Sequence, residues 1–104
     1  AQSGDAYDEL VAEGIRHSSK QDKRKAARSY REAIALKPGE PWAYINLGVV
    51  LTNSGHDVEA AQRFLEAKER YQVGSEGWAR ATARAFDVLR LRACAEAAKP
   101  EWWN

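Results

Sequence analysis

A shift of 34 residues lays this chain onto itself without a gap. Gly14 then meets Gly48, Ala26 meets Ala60, Ala27 meets Ala61, Glu32 meets Glu66 and Ala33 meets Ala67. Similar residues also fall together: Val11 with Ile45, Ile15 with Val49, Tyr30 with Phe64. A repeat of this length marks supersecondary units that cannot bury an apolar face alone and must stack on one another. The units run over 7–40 and 41–74, and a partial third starts at Ser75, with Trp78 in the place of Tyr44.

Turn residues divide the units further. Pro38-Gly39 closes the first, because proline cannot continue a helix and glycine accepts turn dihedrals. Ser54-Gly55-His56-Asp57 is a turn inside the second unit, with Asp57 as the expected N-cap. Val73-Gly74 breaks the chain again, and Ser75 is the expected cap of the next helix. This punctuation predicts helices over 5–19, 23–36, 41–53 and 58–71, with Pro41 in the first turn of the third. From Glu76 to Ala98 there is no glycine after Gly77, no proline and no turn cluster, and Leu89 stands where Gly55 turns the second unit. One long helix over 76–98 is therefore expected in place of a third hairpin, ended by Lys99-Pro100. The fold class is all-α, in one domain over 5–104 with a tail at 99–104. Ala1-Gln2-Ser3-Gly4 reads as an expression scar or a frayed end.

The second unit carries Tyr44-x-x-Leu47-Gly48-x-x-Leu51, then Gly55, Ala60, Phe64 and Ala67; the first carries Gly14, Ala26, Tyr30, Ala33 and Pro38. These residues resemble the tetratricopeptide repeat, whose period is 34 residues. The third unit keeps Trp78 but has Cys94 where a small alanine belongs. The resemblance implies two helical hairpins in a right-handed superhelix, with the long helix as a terminal cap. Small residues at Gly14 and Ala26 would sit where paired helices cross, and Tyr30 and Phe64 would fill the space between hairpins.

The same resemblance implies a concave surface lined by the first helix of each unit, where a peptide of a partner protein would lie. By register its residues are Val11, Ala12 and Ile15, then Trp42, Ile45, Asn46, Val49 and Asn53, then Ala79, Arg80, Ala83 and Asp87. Asn46 and Arg80 match two positions with which some family members clamp a C-terminal carboxylate. The other three clamp positions hold Val11, Ile15 and Glu76, and an acid there repels an anionic tail. The apolar floor of Val11, Ile15, Ile45 and Val49 suits a segment with hydrophobic anchors instead. An exposed Trp42 would be a hot-spot residue. Ile45 is open to two readings, groove surface or packing against the neighbouring helix.

Composition narrows the alternatives. The formal charge is +1, so charge alone implies neither nucleic acid nor an anionic membrane. Lys20, Lys23, Arg24, Lys25, Arg28 and Arg31 form a basic stretch without an aromatic stacking platform. It reads as a solvated helix face with Arg28 and Glu32 paired at i,i+4, and RNA binding is the lesser reading. No apolar run is long enough to span a bilayer. Cys94 is the only cysteine, so no internal disulfide forms and a reducing, cytoplasmic setting is expected. His17 and His56 lie at no recognisable catalytic or metal spacing, and no cofactor or enzymatic activity is expected. Self-association through uncovered apolar faces or the long helix is the alternative to partner binding. The Trp102-Trp103 pair has three readings: packing on the long helix, a partner or dimer contact, or the start of an element continuing beyond this segment.

Overall fold

The computed structural model describes the backbone of residues 3–97 and the side chains of residues 6–92. The expected roles of Cys94 and of Trp102-Trp103 lie outside the described residues. Five helices succeed one another: α1 (Ser3–Ser19), α2 (Lys23–Leu36), α3 (Trp42–Asn53), α4 (Asp57–Arg70) and α5 (Glu76–Ala97). Among the described residues there is no strand, so the fold is all-α. Each helix packs on its neighbours in the chain, α1 on α2, α2 on α3, α3 on α4 and α4 on α5. Among the described residues no helix is long and apolar enough to cross a membrane.

Local chemistry sets most of the boundaries. The Asp22 carboxylate accepts from the Lys25 amide at 3.2 Å and caps α2. Ser75 Oγ accepts from the Trp78 amide at 3.1 Å and opens α5, as expected. Asp57 does not cap α4. The cap position is His56, without a side-chain bond, and Asp57 is the first helical residue. There its charge, with that of Glu59, faces the positive end of the helix dipole. Pro41 stands at the cap position of α3 with helical dihedrals and offers no side-chain cap. That role passes to Tyr7 of α1, whose hydroxyl accepts from the buried Ala43 amide at 3.0 Å. A donor freed at the start of α3 is thus satisfied from a residue in the preceding hairpin.

Gln21 and Gly55 are related by the 34-residue shift, and both turns use positive φ, at 65° and 81°. Only the second has the residue that bears this backbone without penalty. Replacing Gln21 with glycine is expected to stabilise the fold by about 0.5–1 kcal/mol, the relief of strain outweighing the looser unfolded chain. A rise in the urea midpoint at constant slope checks this; a fall would show that the Gln21 side chain has a native role.

The core is built from small residues under large rings. A Cβ added at Gly14 would collide with the Tyr30 ring, and one at Gly48 with the Phe64 ring. In both hairpins the ring belongs to the residue 16 positions after the glycine. The rings therefore sit inside their own hairpins, which corrects the expectation that they only fill space between hairpins. Alanines such as Ala26, Ala33, Ala60 and Ala67 are wholly buried and let the helices approach closely. In α5 the glycine register holds Thr82, whose hydroxyl donates to the Trp78 carbonyl at 2.7 Å. No ring could seat there in the same way, and α5 runs on to Ala97 as one helix.

Candidate functional site

Along α3, Trp42, Asn46, Val49 and Asn53 recur at three and four residues and so share one face. The tilted Tyr7 ring, with its centroid 6.4 Å from that of Trp42, supports one end of this face. Two concavities open on it. The first, about 310 Å³, is lined by Ile15, Ser18 and Ser19 of α1, Tyr30 of α2, and Trp42, Asn46, Val49, Val50 and Asn53 of α3. The second, about 170 Å³, is lined by Val49, Thr52 and Asn53 of α3, Phe64 of α4, and Arg84, Asp87, Val88 and Leu91 of α5. Val49 and Asn53 belong to both, so the two form one trough that crosses α3.

The trough brings together five residues expected from the sequence: Ile15, Trp42, Asn46, Val49 and Asn53. Asp87 joins them at the α5 end. Ile15 and Trp42 remain more than two-fifths exposed, at 43% and 44%. Val11 is a correction: it is wholly buried in the core cluster with Tyr7, Ala26 and Leu47. Ile15 lies one turn further along nearly the same face of α1, so helical period does not separate the two: Val11 is covered by the packed residues of α2 and α3, and Ile15 is not. Ile45 is half-buried, packs against the core and lines neither concavity, so for it the packing reading holds. Arg80 and Ala83 are exposed but line neither concavity. Arg80 instead donates to Glu76 of the preceding turn at 3.1 Å.

The sequence reading missed Arg84, Val88 and Leu91, which form the α5 wall of the trough. It placed the third-unit groove residues by the register of a hairpin, whereas a straight helix carries the wall further along. The signal was present in Leu91, an apolar residue one turn beyond Asp87 on the same side of the helix. Arg84 also lies over the Phe64 ring, 6.0 Å from its centroid.

The trough is chemically asymmetric. Its α1–α3 end has no charged lining residue, only apolar surface, hydroxyls and the amides of Asn46 and Asn53. Its α5 end carries one cation and one acid, Arg84 and Asp87. Such a surface supplies hydrophobic contact and neutral hydrogen bonding, with little pull on ions. Elsewhere, Glu13, His17, Lys25, Arg28, Ser29 and Glu32 surround a wholly polar hollow between α1 and α2. His17 stands 3.7 Å from Glu13 there. Among the described residues no group of three or more His, Cys, Asp or Glu could hold a metal ion. The anticipated Arg28–Glu32 pair is not formed among the described residues. The basic stretch pairs instead through Lys25 with Asp22 at 3.8 Å and Arg31 with Glu59 at 3.1 Å. Glu59 reaches Arg31 from the first turn of α4, across a hollow that both residues line.

No protein-family model matches this chain, and no curated protein is similar enough to count as a relative.

Proposed function

We propose that the chain is a tetratricopeptide-repeat module that binds an extended segment of a partner protein in the trough across α3, and that it catalyses no reaction. The observation that carries this reading is the meeting of Ile15, Trp42, Asn46, Val49 and Asn53 around one open concavity. The register that relates Gly14 and Tyr30 to Gly48 and Phe64 supports the family assignment, and with it a right-handed superhelical stacking of the hairpins. Ile15, Trp42 and Val49 offer an apolar floor, and Asn46 and Asn53 offer amides that pair with a peptide backbone. Capture of a terminal carboxylate is disfavoured, because Arg80 is already engaged by Glu76. A cytoplasmic setting belongs to the same proposal and rests on the single cysteine.

Peptides selected from a displayed random library against the full chain test the proposal. Trp42→Ala is expected to weaken the selected binders about thirtyfold, the size of a hot-spot loss. Arg80→Ala is expected to leave them within about twofold, as a rim residue does. Binders that tolerate both Trp42→Ala and Val49→Glu, in variants shown to fold by circular dichroism, would remove the trough from consideration.

A second reading is self-association through α5. It is favoured by Phe86, which is 66% exposed, and by the exposed Leu89 on the same flank. Light scattering over a dilution series separates the two: a concentration-dependent mass abolished by Phe86→Ser supports assembly, and a constant monomer mass excludes it.

A further inference from the structure

A further hollow, of about 510 Å³, opens between α2 and the turn joining α3 to α4. Its charged rim is Lys23, Arg24 and Arg31 against one acid, Glu59, with the His56 imidazole beside them. Its floor is apolar, formed by Ala27, Val50 and Leu51. Arg24 and Arg31 are seven residues apart, two turns of one helix, so they rise from the same face. Ala27 lies between them, and its small side chain leaves the space into which both guanidinium groups open.

The groups are held in different ways. Lys23 Nζ donates to the Asn53 carbonyl at 3.0 Å, which fixes the ammonium at the rim. Arg31 gives one guanidinium nitrogen to Glu59 at 3.1 Å. A guanidinium has five N–H donors, so most of its capacity remains free. Arg24 makes no ion pair among the described residues. The repeat itself does not call for these cations: the 34-residue shift carries Lys23, Arg24 and Arg31 onto Asp57, Val58 and Leu65. The whole chain is only +1, yet the stretch from Lys20 to Arg31 holds six cations and one acid, Asp22. Asp22 is itself engaged at the start of α2. The positive charge is therefore concentrated in this segment while the rest of the chain is net acidic, and three of its six cations, Lys23, Arg24 and Arg31, line this hollow.

We propose that this hollow binds a phosphate group, presented as a phosphorylated side chain of a protein partner. Two guanidinium forks and an ammonium match the oxygens of a phosphate dianion, and arginine is the side chain best suited to take them in pairs. Single-stranded nucleic acid is disfavoured because no Phe, Tyr or Trp ring lines the hollow as a stacking platform for a base. Glu59 acts as a built-in competitor, occupying Arg31 when the hollow is empty of anion. This site is independent of the trough and stands or falls without it.

The test is a titration of the full chain, monitored by amide NMR shifts and calorimetry, with inorganic phosphate, a short phosphoserine peptide, its unphosphorylated twin and an oligouridine. Phosphate and the phosphopeptide are expected to shift the amides around Arg24, Ser54 and His56, and the unphosphorylated peptide is not. Arg24→Gln and Arg31→Gln should each weaken phosphopeptide binding about tenfold, the loss of one charge-assisted contact. Glu59→Gln, which frees Arg31, should strengthen it. Arg28→Gln is the control, since Arg28 lines the separate hollow with Glu13 and His17. The proposal is overturned if phosphate produces no shifts there, if Arg28→Gln costs as much as Arg24→Gln, if Glu59→Gln weakens binding, or if oligouridine binds and the phosphopeptide does not.

Discussion

Truncating Phe64 to alanine is expected to destabilise the fold by about 3–5 kcal/mol, the usual cost of emptying a buried aromatic site. The ring is 2% exposed and lies against Gly48, where no Cβ could replace its contacts. It forms part of the trough lining and carries Arg84 over its face, so its removal also loosens the α5 wall. Collapse into the space is hindered, because the neighbouring Ala60, Ala61 and Ala67 have no length with which to fill it. Domains have only about 5–15 kcal/mol of total stability, so this one change removes much of it. Urea unfolding monitored by circular dichroism measures the loss. A change under about 1 kcal/mol would mean the ring is not packed between α3 and α5 as described.

Tyr7 is the second sensitive position, because it acts twice. Its ring is 3% exposed in the core, and its hydroxyl receives the amide of Ala43 that Pro41 leaves uncapped. Tyr7→Ala is expected to cost about 3–5 kcal/mol, through the lost ring. Tyr7→Phe keeps the ring but strands a buried N–H, and about 1–3 kcal/mol is expected from that alone. The difference between the two variants separates packing from capping. If Tyr7→Phe proves neutral, the start of α3 has another partner.

The same hydroxyl gives a pH dependence. Burial pushes the Tyr7 pKa above its ordinary value; the bond from Ala43 opposes the rise, and Glu40 and Asp8 add to it. Burial likewise raises that of Tyr30, partly offset by the Ser18 hydroxyl. Both groups favour the fold in the neutral form. Their contribution is complete below the ordinary tyrosine range and is lost as pH climbs through the raised folded values. Stability at neutral pH should therefore be insensitive to these groups and fall only in the alkaline range above about 10. Tyr7→Phe should flatten part of that fall, read as a shallower decline in thermal midpoint with pH.

The helix boundaries were available in the sequence because caps and turns act over a few residues. Ser75 precedes α5 as its capping chemistry requires, and Gly55 and Gly74 supply the positive φ at two turns. The run after Ser75 forms a single helix as far as the described residues go, to Ala97. Local rules failed where a partner is far along the chain. Asp57 has a capping side chain, yet it lies inside α4, and α3 is capped from α1 by a residue no local pattern would nominate.

The site divides along the same line. Which residues share a face of α3 is set by helical period, and Trp42, Asn46, Val49 and Asn53 were named from the register of the family resemblance. Whether a face meets solvent or another helix depends on the angle at which helices cross. Period alone could not tell the buried Val11 from the exposed Ile15, or choose Arg84 over Arg80 as the trough residue. The sequence by itself determined the helices, their order and the register in which their glycines and rings recur, since each depends on near neighbours or on a repeated spacing; that each ring seats on the glycine of its own hairpin came only from the packing. Only the tertiary structure decided how far the trough extends and which cations meet at the second hollow. Both are set by side chains from helices whose relative placement is the sum of many packing contacts.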